Sequence, residues 1–184
     1  MVRLRCLAPV LAFVVATLGV ALPAHATSCV CAGSFVDNAR RADLVVRAKG
    51  KGFDGSWGNG QPRYVDLAVS RVFAGDPSIT TVRVEGDDGS SLRKFASAFA
   101  PGSEWLLALQ LSHVITSGAK RTVIYEVSVC GSYALRIAEG KVAADGCEDA
   151  EDGKPLAEVL ERLRAGLAAP ASQPTPTPPT PSAR

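Results

Sequence analysis

Histidine and methionine are scarce in this chain. His25 and His113 are the only histidines and Met1 the only methionine. Past residue 26 His113 stands alone, so no metal site built on two histidines can form there. The soft ligands of a copper site are missing as well. A Gly-x-Ser-x-Gly elbow, a phosphate-binding Walker loop and a dinucleotide fingerprint are all absent. Charge of one sign is also lacking. The 20 Lys and Arg face 18 Asp and Glu, and loss of Arg3 and Arg5 with a leader would leave 18 of each. A neutral domain has no basic footprint for nucleic acid and no polybasic run for an anionic membrane. On these absences the chain is expected not to be an enzyme and to carry no cofactor or metal of its own.

The residues that are present describe export. Arg3 and Arg5 form a positive start, Leu7 to Leu22 an almost unbroken apolar run, and Ala24-His25-Ala26 a small-x-small cleavage pattern. The run is too short for a membrane span, and no other stretch is long or apolar enough to cross a bilayer. Residues 1–26 are therefore expected to be a signal peptide, with residues 1–28 as the alternative, because Ala26 and Ser28 also satisfy the small-residue rule. The product is expected to be secreted, extracellular or held in the cell envelope. Ala26-Thr27-Ser28-Cys29 is an imperfect lipidation signal, and Pro23 and His25 separate it from the apolar run. A lipid anchor at Cys29 is not expected.

Four cysteines remain after the leader: Cys29, Cys31, Cys130 and Cys147. An even count in an exported chain reads as two disulfides, of three formally available connectivities. A Cys29–Cys31 bridge would be strained, so each of these is expected to reach a distant cysteine. In an oxidising compartment this reading outranks a redox or copper-binding Cys29-Val30-Cys31 pair. Residues 169–184 form a Pro/Thr-rich tail with no large apolar residue, expected to be an extended, disordered spacer or terminus. The folded domain is then 29–168.

Within it the periodicity is mostly two. Leu44–Ala48, Tyr64–Phe73, Thr80–Glu85, Glu104–Leu111 and Thr122–Cys130 read as strands. A short hairpin joins Tyr133–Ile137 to Lys141–Ala143 through Glu139-Gly140. The glycine-rich run Gly50–Gly60, Gly75-Asp76-Pro77 and Gly86-Asp87-Asp88-Gly89 read as breaks. Phe35–Ala42 and Pro155–Leu167 read as helices, the second with one apolar stripe of Leu156, Val159, Leu160, Leu163 and Leu167. The fold class is mainly β, a small antiparallel barrel with flanking helices.

Other candidates read more plainly. His113, in flanks that look like a strand end, is expected to be a surface histidine. The acidic runs Asp87-Asp88 and Glu148–Asp152 have no calcium-ligand spacing and are expected to be solvated loops.

Cys29-Val30-Cys31, a short helical patch and then Ala42-Asp43-Leu44-Val45-Val46-Arg47-Ala48-Lys49 resemble the start of the tissue inhibitors of metalloproteinases. Tyr64–Phe73, Phe99–Leu109 and Val129-Cys130-Gly131 are similar in pattern to later strands of that family. The resemblance covers most of 29–168, and only its first 20 or so residues are specific. It implies a netrin-like module, an OB-type five-stranded barrel stapled by disulfides, in a bacterial-type single-domain form.

It also implies a partner and a chemistry. The free α-amine and carbonyl of Cys29 would chelate the catalytic zinc of a metalloproteinase, and the Val30 side chain would enter the specificity pocket. Cys31–Cys130 would be the matching bridge. Where the family has a mid-chain partner for its first cysteine, this chain has Ser90-Ser91-Leu92-Arg93, so Cys147 would serve, as Cys29–Cys147. The second, cysteine-rich domain of the animal inhibitors is absent. The alternative is a non-inhibitory envelope or cell-surface protein that uses the same barrel for structure or adhesion. Cleavage after Ala26 would leave Thr27 and Ser28 ahead of Cys29 and put the α-amine in the wrong place.

Overall fold

The computed structural model describes residues 33–145 and 147–169. The expected signal peptide, Cys29, Val30, Cys31 and all of the tail beyond Ala169 lie outside the described residues. Seven strands form one sheet: β1 Leu44–Ser56, β2 Pro62–Ala74, β3 Thr81–Glu85, β4 Glu104–Ser117, β5 Lys120–Glu126, β6 Ala134–Ala138 and β7 Lys141–Ala144. Two helices accompany them, α1 Phe35–Ala39 and α2 Leu156–Ala168. The strand order is β1-β2-β3-β5-β4-β6-β7, and β1 also pairs with β4, so five strands close into a ring. All the ladders are antiparallel except β3–β5, which is parallel and two register pairs long.

Continuous apolar runs mark the strands that are buried on both faces. Along β4, Trp105, Leu107 and Leu109 join a core with Val46, Val65, Leu67, Val84 and Phe99. The alternate residues Leu106 and Ala108 face a second core with Val45, Leu135, Phe35, Val159 and Leu163. The first core fills the ring, and the second lies between the sheet and the helices. Phe99 meets Trp105 edge-on, with centroids 5.0 Å apart.

Each helix has a local cause. Ser34 and Asp37 form a reciprocal capping box at the start of α1. These hydrogen bonds, first that from the Ser34 hydroxyl, hold the Asp37 carboxyl below the usual carboxylate range. Pro155 opens α2, whose expected stripe packs in the second core. Glu139 and Gly140 both take positive φ and turn the β6–β7 hairpin as expected. No helix among the described residues is long and apolar enough to cross a membrane.

Several boundaries differ from the sequence reading. Gly50–Ser56 is not a break but the second half of β1. Gly50 lies against the Phe99 and Ala100 carbonyls, where a Cβ would clash, and register shifts at Val45/Val46, Arg47/Ala48 and Gly50/Gly52 let β1 bend between β2 and β4. Strand β4 runs on to Ser117, which places His113 well inside it rather than at its end. Strand β5 stops at Glu126, short of Cys130. Helix α1 ends at Ala39, three residues before Ala42.

Candidate functional site

The chain enters α1 between two loops that carry the distant cysteines. The Phe35 amide donates to Asp149 Oδ2 at 2.7 Å, two residues after Cys147. The buried Asn38 donates from Nδ2 to the Ser132 carbonyl at 3.0 Å, two residues after Cys130. Cys147 is buried, with its Sγ 4.0 Å from the Val129 carbonyl oxygen. The Cys130 amide donates to Ser128 Oγ at 3.1 Å. The segment just after Cys31 and the loops around Cys130 and Cys147 thus meet at one edge of the molecule. Both expected bridges include Cys29 or Cys31, which lie outside the described residues.

An apolar pair lies beside this meeting point. Leu92 and Val129 are 45% and 38% exposed, and the Val129 amide donates to the Leu92 carbonyl at 2.9 Å. The same edge continues through the Asp87–Ser91 loop to the β1–β2 hairpin tip, where Asn59 Nδ2 donates to the Asp88 carbonyl at 2.6 Å. The loop is internally tied. Asp87 Oδ1 accepts from the Gly89 and Ser91 amides and the Ser91 hydroxyl, and Asp88 Oδ1 from the Ser90 amide and hydroxyl. The Ser90 hydroxyl is the main reason the Asp88 carboxyl titrates below the usual range.

Both flanks of this edge hang on Glu85, a carboxylate only 3% exposed. It pairs with Arg93 Nη1 at 2.7 Å and Arg63 Nη2 at 3.3 Å. Arg93 also reaches Glu126 at 2.8 Å, and Arg63 stacks over the Trp57 ring at 4.5 Å and the Tyr64 ring at 4.9 Å. His113 Nδ1 lies 3.7 Å from Glu85. His113 is partly exposed, as a surface histidine should be, but it borders a buried carboxylate.

The acidic runs are solvated only in part: Asp88, Glu148 and Asp152 are exposed as expected, but two of the carboxylates are not. Asp87 is buried, and Glu151 is 0% exposed. Asp149 holds α1, Asp152 Oδ1 accepts from the Ala144 amide at 2.9 Å, and Glu151 pairs with Arg162 at 3.0 Å. Partners explain the two buried carboxylates: Asp87 accepts from amides of its own loop, and Glu151, which accepts no hydrogen bond, lies between the Arg162 guanidinium at 3.0 Å and the Lys154 ammonium at 3.7 Å. No group of three or more His, Cys, Asp or Glu side chains among the described residues could hold a metal ion. The sequence reading missed Glu85 altogether. Its only signal was a charged residue ending a strand pattern, and Arg63 and Arg93 come to it from 22 and 8 residues away.

No protein-family model matches this chain, and neither does any curated protein.

Proposed function

We propose that this chain is an exported netrin-like module that inhibits a zinc metalloproteinase through its N-terminal cysteine. Cys29 is the chelating residue, Val30 the side chain that enters the specificity pocket, and Cys31–Cys130 and Cys29–Cys147 the bridges that hold them. The module works by binding and catalyses nothing itself.

The observation that carries this reading is the convergence at α1. Phe35 and Asn38 tie the start of the helix to the loops of Cys147 and Cys130, and Cys147 in turn lies against Val129 of the exposed Leu92–Val129 pair. The ring order, β1-β2-β3-β5-β4 and back to β1, supports an OB-type arrangement. The chemistry is sound. A neutral α-amine and its own carbonyl oxygen close a five-membered chelate at the open position of a catalytic zinc. Two bridges at the chelating end would fix its geometry beforehand and lower the entropic cost of binding.

The test is N-terminal sequencing and intact mass of the exported protein, followed by inhibition assays against a panel of zinc endopeptidases. A free Cys29 start with inhibition, abolished by one alanine placed ahead of Cys29, is the expected result. A start at Thr27, an acylated Cys29, or inhibition indifferent to the added alanine overturns it. The first two outcomes would favour the structural or adhesive role.

A further inference from the structure

The ring is closed at β3–β5 by two register pairs, Arg83 with Ile124 and Val84 with Tyr125. Before them the ladder stops, and an open groove of about 640 Å³ lies between the β3 side and the β5 side. Its partly exposed apolar lining is Ile79, Val123 and Tyr125, and Lys120 and Arg121 line it as well. The volume falls within the range of small-molecule sites.

The charges in the groove are unequally satisfied. Asp66 is taken by Arg83 in a two-point contact at 2.7 and 2.8 Å. The third nitrogen of Arg83 goes to Asp54 at 2.9 Å. Asp76 accepts from the Ser78 amide and hydroxyl at 2.9 and 2.7 Å. Lys120 and Arg121 form no ion pair among the described residues. What the groove offers a ligand is therefore an apolar trough with two available cations on one side. We propose that it binds a small organic carboxylate with an apolar body, the carboxylate on Lys120 and Arg121 and the body along Ile79, Val123 and Tyr125. The groove is built from β3 and β5 and uses none of the cysteine-bearing edge, so the two assignments stand or fall separately.

Octanoate is a suitable probe, titrated into the ¹⁵N-labelled exported protein, with 1-octanol as its uncharged counterpart. The expected result is saturable shifts at the Thr81, Val82, Thr122, Val123 and Tyr125 amides, and weaker shifts with the alcohol. Lys120→Gln/Arg121→Gln should weaken octanoate binding about tenfold, the worth of one charge-assisted contact. Both positions are exposed, so this variant is expected to fold. Absence of saturable shifts overturns the proposal. So does an unchanged affinity in the variant, or shifts centred on Leu92 and Val129. If the variant instead self-associates without any change in octanoate binding, the two cations serve to guard a strand edge, and the proposal is equally overturned.

Discussion

Asp149 Oδ2 accepts a hydrogen bond from the Phe35 amide at 2.7 Å across 114 positions of sequence. It supplies one of the amide partners that a helix N-terminus lacks within itself, and it joins α1 to the loop after β7. Replacing Asp149 with Ala should cost about 1–2 kcal/mol in urea unfolding. If the proposed function holds, inhibition should fall by more than the stability loss explains, because the segment upstream of α1 loses its anchor. Equal stability of the variant and the parent would show the contact to be inert.

A second expectation concerns Glu151. Its carboxylate is fully buried against the half-exposed Arg162. Glu151→Ala should destabilise by about 2–3 kcal/mol, below the usual figure for a broken buried pair because Arg162 keeps access to water. Glu151→Met should lose less, since it refills the volume without a charge. Arg162→Ala should lose more than Glu151→Met, because it leaves the buried charge only the Lys154 ammonium, 3.7 Å away. Chemical denaturation of the three variants gives the order directly, and the reverse order would mean that the pair is dispensable.

Backbone crowding at β1 gives a paired test. The Gly50 amide donates to the Ser103 carbonyl at 2.9 Å, and the Gly50 carbonyl accepts from Gly102 at the same distance. A Cβ on Gly50 would run into the Phe99 and Ala100 carbonyls, while one on Gly52 meets nothing within 4 Å. Gly50→Ala should therefore lose about 2–3 kcal/mol. Gly52→Ala, two residues on, should change stability by no more than about 0.5 kcal/mol. Thermal melts of both variants check the contrast.

Asp66 makes the stability depend on acid. Hydrogen bonds from Arg83 hold its carboxyl below the ordinary value, so between the folded value and the unfolded value of about 3.9 the unfolded chain binds more protons. Stability rises with pH across that window, and the contribution is lost as pH falls through the folded value. Asp66→Asn should lower stability by about 1 kcal/mol at neutral pH and flatten the acid limb below about pH 4. Denaturation curves collected from acid to neutral pH decide it, and parallel limbs in variant and parent would refute the linkage.

Much of the fold was legible in the residues, for reasons that can be named. The two-residue alternation of Thr81–Glu85 and the i, i+3, i+4 stripe of Leu156–Leu167 are local patterns, and both elements appear where the patterns put them. The Gly50–Ser56 stretch misled because glycine usually marks a break. Here it marks a close approach of two backbones, which no local pattern records. Cys130 and Cys147 were legible as distant cysteines, but nothing local showed that Asn38 and Phe35 would bind the loops that follow them.

The sequence alone determined that the strands and the long helix exist, that two histidines are all the chain has and that its 20 Lys and Arg nearly balance its 18 Asp and Glu, because these follow from residue type and short spacing. The tertiary structure decided that β1 returns to pair with β4, that Glu85 gathers Arg63, Arg93 and His113, and that Glu151 is buried. It also decided where the β3–β5 ladder stops and the Lys120–Arg121 groove opens. Each of these depends on which distant segments share a surface, and that is set by the packing of the whole ring rather than by any run of neighbouring residues.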